Sequence, residues 1–273
     1  MEKYVAFLDI LGFKNKMKKM SQTEAEDFIR DFSQLLYDEW VKENLDQDDL
    51  INGFIVSDSI IVHTNDTSSA ALRRLLDYII TVCRRCFSYK GILLRCAIAK
   101  GDYSHLQATG FNNLQKGLIV GAAYIEAYTL ESASKTSAII TTQVVRDDIE
   151  EYFPGEYSFE HEDTEKGTIY LIKWLSLDYL LNTEHLSQFC EKAVEADWIP
   201  LFYNTLYLCF SCENVKKRDQ IFHNICIYIS NREGSNYAVL DKFISRAFEK
   251  DVNSNFQKMF SGFLRRQIKQ VEQ

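Results

Sequence analysis

The chain has only two prolines in 273 residues, which leaves no room for proline-rich linkers or rigid extended spacers. It has no apolar run approaching the ~20 residues that cross a bilayer, and no leader pattern at its N-terminus. Positive charge is not in excess: 39 Asp and Glu stand against 31 Lys and Arg, a formal net charge of −8. Non-specific nucleic-acid binding, which rests on surplus cations, is therefore not expected. A disulfide framework is also missing. The seven cysteines, an odd number without short regular spacing, read as reduced thiols of a cytoplasmic protein with no membrane attachment. Two C-x-x-C pairs occur, Cys83/Cys86 and Cys209/Cys212, far apart in helical runs, and they read as buried structural thiols. The histidines His63, His105, His161, His185 and His223 are scattered, with no spacing that builds a zinc site or a Ser/His/Asp arrangement.

What is present is a hydrophobic content of 46%, enough for a core needing no covalent clips. Residues 4–10 form a near-continuous apolar strand that contains Asp9, and Leu11-Gly12-Phe13 turns the chain. Ser21 and Glu24 make a capping box for a helix whose apolar residues Phe28, Ile29, Phe32, Leu35, Leu36 and Trp40 recur at helical spacing. Residues 51–63 read as a hairpin around Ser57-Asp58, and residues 67–89 as a second helix. A strand over 93–99, a loop over 102–116, a short apolar element at 118–120 and a helix over 122–134 follow. A strand at 138–141, a helix over 144–151 and a terminal hairpin over 157–174 complete this part. The order is α+β, with a largely antiparallel sheet and helices on one face. Beyond 175 only helical periodicity remains, so the expected division is a domain over 1–175 and an all-helical extension over 176–273.

Asp9 and Asp58 each end or interrupt an apolar strand, where a carboxylate is disfavoured. A single such Asp is commonly a turn cap. Two, on strands that would neighbour each other, can converge on one point and suit Mg²⁺ bound together with substrate phosphates.

Phe7-x-Asp9-Ile10-x-Gly12-Phe13, Ser57-Asp58-Ser59, Arg95-x-x-Ile98-x-x-Gly101, and Gly121 followed by Ala127 and Leu130-Glu131 occur in that order. Together they resemble the signature of the class III nucleotidyl cyclase domain, over residues 4 to about 174, and look closest to the bacterial pyrimidine cyclases of Pycsar anti-phage systems. The resemblance implies a ferredoxin-like class III cyclase sheet. It implies two ions of Mg²⁺ or Mn²⁺ held by Asp9, Asp58 and the Ile10 carbonyl, with the amides of Leu11, Gly12 and Phe13 on the phosphates. It also implies a head-to-tail homodimer with active sites at the interface, and a cyclic nucleotide that activates a separate effector.

Where purine cyclases place Lys or Glu, this chain has Phe54; where they place a second polar base-reading residue, it has Leu118. A phenyl ring removes a purine edge contact and takes up volume, which favours a pyrimidine triphosphate, UTP before CTP. An inward-facing strand residue is the alternative reading of Phe54. The resemblance departs at the helix after Gly121, where the ribose-orienting Asn and the charge-stabilising Arg are replaced by Ile125 and Thr129. Lys100 is the expected replacement cation, with Lys14, Lys16 and Arg95 as others, and Lys166 matches the family's C-terminal Lys or is a solvated turn residue; Glu126 and Tyr128 are further polar candidates on that helix. Ser57 and Ser59 either help bind phosphate or serve as strand hydroxyls. The run Lys14, Lys16, Lys18, Lys19 is either a solvated face or an attractor for an anionic nucleotide. Two rivals stay open: a purine cyclase, and a catalytically degenerate nucleotide-binding or scaffold protein.

Overall fold

The near-continuous apolar stretch at residues 4–10 becomes the interior strand β1 (Glu2–Ile10), with Tyr4 to Leu8 buried. Burial of consecutive residues means that both faces of the strand are covered. The structure is a computed structural model describing residues 1–107, 117–164, 167–196, 200–210, 214–231 and 254–271. The chain divides into two compact units, Met1–Ser134 with Ala138–Trp174, and Lys135–Ser137 with Leu175–Gln273.

In the first unit β1 is followed by α1 (Phe13–Met17), α2 (Gln22–Lys42), β2 (Ile51–Val56), β3 (Ser59–Thr64) and α3 (Ser69–Lys90). Then come β4 (Leu94–Asp102), β5 (Ser104–Gln107), β6 (Gly117–Val120), α4 (Ala122–Glu131), β7 (Ile139–Thr141), α5 (Gln143–Tyr152), β8 (Phe159–Thr164) and β9 (Gly167–Ile172). Seven strands form one sheet in the order β2-β3-β1-β4-β7-β9-β8, antiparallel except where β4 meets β7. This is the α+β architecture expected from the sequence. β5 and β6 pair as a separate two-stranded ribbon, and β5 lies within the stretch read as loop.

Local chemistry sets the element ends. Ser21 and Glu24 form the reciprocal capping box, and Ser68 caps α3 by accepting from the Ala71 amide. Gly121 has φ 152°, and a Cβ there would overlap the Asp102 carbonyl and come within 2.7 Å of Tyr103 Cα. Glycine therefore lets the end of β6 close against the end of β4. Side chains alternate across the strands, so each helix can be assigned a face. Trp40 of α2 lies against Gly53, and Asp148 of α5 accepts from Tyr4 and Lys100, which places both helices on one face. On the opposite face Ala123 and Ala127 of α4 pack on Val5, Phe7, Ile61 and Ala99.

The described helices of the second unit are α6 (Leu177–Leu181), α7 (Thr183–Glu195), α8 (Pro200–Phe210), α9 (Val215–Asn231) and α10 (Ser254–Val271). Phe256, Phe260 and Phe263 fall at i, i+4 and i+7 and meet Phe222, giving this unit an aromatic core. Residues 239–248, which share the helical periodicity read beyond 175, lie outside the described residues. No described helix is long and apolar enough to cross a membrane. Cys83, Cys86, Cys96, Cys190 and Cys209 are buried and unbonded to each other, and burial pushes the Cys83 thiol up to about 12. Cys212 lies outside the described residues.

Candidate active site

The antiparallel register decides which side chains share a face. Val56 pairs with Ser59, Ser59 with Asp9, and Asp9 with Arg95, so these four form one row across β2, β3, β1 and β4. Two residues away, about 7 Å along the strands, the next row on this face is Phe54, Ile61, Phe7 and Ala97. The row after that is Asn52, His63, Val5 and Ala99. One face therefore carries a carboxylate at one end and aromatic rings behind it.

Asp58 reaches Asp9 because β2 and β3 are joined by a two-residue turn, Ser57-Asp58, with Ser57 at φ 58°. That tight turn fixes the register and sets Asp58 directly before the row of Asp9. Arg95 Nη2 donates to Asp9 Oδ2 at 2.6 Å, and the Ser59 hydroxyl donates to Asp9 Oδ1 at 3.4 Å. Burial lifts the Asp9 carboxyl above the ordinary carboxylate range, Arg95 opposes this, and the Asp58 carboxyl beside it adds to the lift. Two neighbouring carboxyls have the donor chemistry for a hard divalent cation. Among the described residues no group of three or more His, Cys, Asp or Glu side chains could hold a metal ion. The chain's own side-chain ligands would thus be Asp9 and Asp58, with the Ile10 carbonyl, water and substrate phosphates completing the set.

Arg95 has a second partner. Its Nε is ion-paired with Glu131 Oε1, without the alignment of a hydrogen bond, and the Glu131 side chain is 7% exposed. Burial pushes Glu131 up to about 7, against the pull of Arg95. The sequence carries a signal for this residue that motif reading passes over. Ala123, Ala127 and Glu131 fall at i, i+4 and i+8, which puts a carboxylate on the buried face at the helix C-terminus, an unfavourable place without a cation.

A pH prediction follows from Glu131. The folded state holds a proton that the unfolded chain releases from the ordinary value of 4.5 upward, so this group's contribution to stability falls as pH rises to about 7. Glu131→Gln removes that dependence. The melting temperature of the variant should gain on the wild type between pH 4.5 and 7, by on the order of 2 kcal/mol of stability. Parallel melting curves over this range would contradict it.

The structure redistributes the other expected site residues. Lys100 does not face Asp9: it lies an odd number of residues from Arg95, on the opposite sheet face. Its ammonium donates to Asp148 Oδ2 at 2.7 Å, beside the hydroxyl of Tyr4. It is a structural cation under α5, and Arg95 is the cation at the carboxylates. Lys100→Met should cost about 1–3 kcal/mol of stability, read by urea unfolding, and leave any turnover unchanged. Leu11 does not keep its amide for a phosphate, because that N–H donates to Leu93 O at 3.0 Å. Gly12, at φ 72°, turns the chain into α1, and Phe13 is its first residue. Ser57 is exposed on the turn. Lys16 lies over the Phe28 ring at 3.9 Å, while Lys14, Lys18 and Lys19 are exposed; Lys166 lies outside the described residues.

Phe54 is half-buried beside the α4 cluster, and the His105 ring stacks on it with centroids 5.0 Å apart. Leu118 does not join them. It is 45% exposed, whereas its neighbour Ile119 packs against the cluster. Ile125 is exposed, and the Thr129 hydroxyl donates to the Ile125 carbonyl at 2.7 Å. Tyr128 meets Phe7 edge-on with ring centroids 5.1 Å apart.

Solved structures share this arrangement of strands and helices. The dimeric guanylyl cyclase domain of the RhoGC fusion protein from the aquatic fungus Blastocladiella emersonii superimposes with a TM-score of 0.50 at 15% identity, covering 63% of this chain and 93% of that one. The first unit has the class III cyclase fold. The adenylyl cyclase CyaB from P. aeruginosa gives a TM-score of 0.48 at 16% identity, covering 63% of this chain and 93% of its own. The guanylate cyclase domain of RhGC from Catenaria anguillulae, in complex with GTP, gives 0.48 at 15% identity, covering 63% and 95%. No family profile and no curated protein matches the sequence. At such identities the likeness is one of fold.

Proposed function

We propose that this protein is a nucleotide cyclase converting a pyrimidine triphosphate, UTP before CTP, to a 3′,5′-cyclic nucleotide and pyrophosphate. The observation that carries the reading is the meeting of Asp9 and Asp58 at one end of an otherwise apolar sheet face, with Arg95 on the same row. Two Mg²⁺ or Mn²⁺ ions bound there would neutralise the β,γ-phosphates and make the ribose 3′-hydroxyl more acidic. Arg95 holds Asp9 in place and brings a fixed positive charge to where the triphosphate would lie, the part the sequence leads one to expect of Lys100. In-line phosphoryl transfer requires chiefly positioning and charge neutralisation, so few protein groups suffice. Phe54 supports the pyrimidine preference, since a phenyl ring offers no edge contact to a purine.

Two copies would complete each site. Val56, Leu106, Leu118, Val120, Ile125 and Tyr128 are large apolar side chains exposed on elements around this face, which favours burial against a second chain. The cyclic product would act through a separate effector, in anti-phage defence. The rival reading, an inactive nucleotide-binding protein, has in its favour that Ile125 and Thr129 bring no amide or cation. Against it stands the pairing of two carboxylates at the end of an otherwise apolar sheet face, where only one of them, Asp9, is ion-paired with Arg95.

The test is incubation with each of the four ribonucleoside triphosphates and Mn²⁺, followed by rates of cyclic-product formation. UTP or CTP should lead. Product from ATP or GTP alone would overturn the pyrimidine assignment, and no product from any would overturn the enzyme.

A further inference from the structure

The β5–β6 ribbon pairs His105 with Ile119 and Leu106 with Leu118. Successive strand residues point to opposite faces, so His105 and Ile119 share one face of the ribbon and the two leucines share the other. Ile119 packs beside Phe54 on the α4 cluster, and the leucines are 48% and 45% exposed. Gly121 fixes this orientation by holding the root of the ribbon against Asp102 and Tyr103. The result is a ring pair, Phe54 and His105, with planes 23° apart, on the row next to that of Asp9 and two strands over from it.

We infer that His105, stacked on Phe54, is the residue that reads the base of the nucleotide, in the place expected for Leu118. The inference rests on the cyclase reading and deepens it. Phe54 has no hydrogen-bonding edge and Leu118 has none either, so the two positions expected to read the base cannot distinguish one base from another by polar contact. The imidazole can. When neutral it carries one N–H donor and one acceptor nitrogen, and the residue is exposed while its ring stacks on Phe54. A uracil offers N3–H and O4, and a cytosine offers N3 and the 4-amino group, so either pyrimidine has a complement for one imidazole nitrogen. Phe54 stands about 7 Å along the strands and, two strands over, about 10 Å across from Asp9. Phe54 then works as a platform that orients His105, and the stack gives the imidazole a fixed direction at little entropic cost.

The experiment compares wild type, His105→Ala and His105→Asn in two readouts. The first is kcat and KM for UTP, CTP, ATP and GTP with Mn²⁺. The second is calorimetric binding of the α,β-methylene analogues of the four triphosphates, which are not cyclised. His105→Ala should raise KM for the preferred pyrimidine about tenfold with kcat little changed, the signature of a lost ground-state contact. It should also flatten the ranking of the four analogues, and His105→Asn, which keeps a donor and an acceptor, should restore part of it. A ranking in His105→Ala within twofold of wild type would overturn the inference. So would a wild type that binds all four analogues alike. Wild type that binds with preference but forms no cyclic product would overturn the cyclase reading and leave the base-reading role supported.

Discussion

Arg95→Ala should reduce turnover by about two to three orders of magnitude and also destabilise the fold by about 2–4 kcal/mol. Both losses come from one side chain with two arms. Nη2 holds Asp9 at 2.6 Å and Nε faces the buried Glu131. Removing the guanidinium leaves two carboxyls with little water and no counterion. They would respond by staying protonated to higher pH, which weakens any metal bound by Asp9. Arg95→Lys separates the two effects. A single ammonium cannot reach both partners with the geometry of the planar fork, so part of the stability should return while turnover stays low. Steady-state rates and urea unfolding of the two variants check this. Wild-type turnover in Arg95→Ala would remove Arg95 from the account.

The second large effect is at Asp58. It lies on a turn, half exposed, and no hydrogen bond of the sheet runs through its side chain. Asp58→Ala should therefore leave the melting temperature within a few degrees of wild type. Activity should fall about a thousandfold or more, because a carboxylate holding a divalent ion supports several kcal/mol of transition-state charge stabilisation. Asp58→Asn keeps the shape and loses the charge, and should be nearly as inactive. If Asp58→Ala is folded and retains its rate, the carboxylate pair is not the metal site.

The course of the strands was largely legible because its signals are local. Asp9 interrupts a run of buried apolar residues, and Ser57-Asp58 sits between two strand-like segments, so both carboxylates stood out. Their meeting needed only one tight turn. Ser21 with Glu24 announced α2, and the helical spacing after residue 175 was equally plain.

What stayed hidden depends on register. Arg95 and Lys100 both lie on β4, and choosing between them requires knowing which residue of β4 stands opposite Asp9. A shift of one residue exchanges the faces, and nothing local specifies it. The same parity separates Leu118 from Ile119 on β6. β5 carries no strand signal in the sequence because Ser104-His105-Leu106-Gln107 has no β-branched residue and only four positions, so His105 reads as part of a loop. Glu131 belongs to the Leu130-Glu131 motif, yet its burial emerges only when α4 is laid on the sheet.

The account turns on whether this chain joins the ribose oxygen to the α-phosphate with release of pyrophosphate. Phosphorus NMR of UTP incubated with the protein and Mn²⁺, after chelation of the metal, reports this directly. The expected spectrum gains one pyrophosphate signal for each cyclic monophosphate signal as the triphosphate signals decline together. An unchanged triphosphate, or its decay to linear UDP and inorganic phosphate, would contradict the cyclase reading.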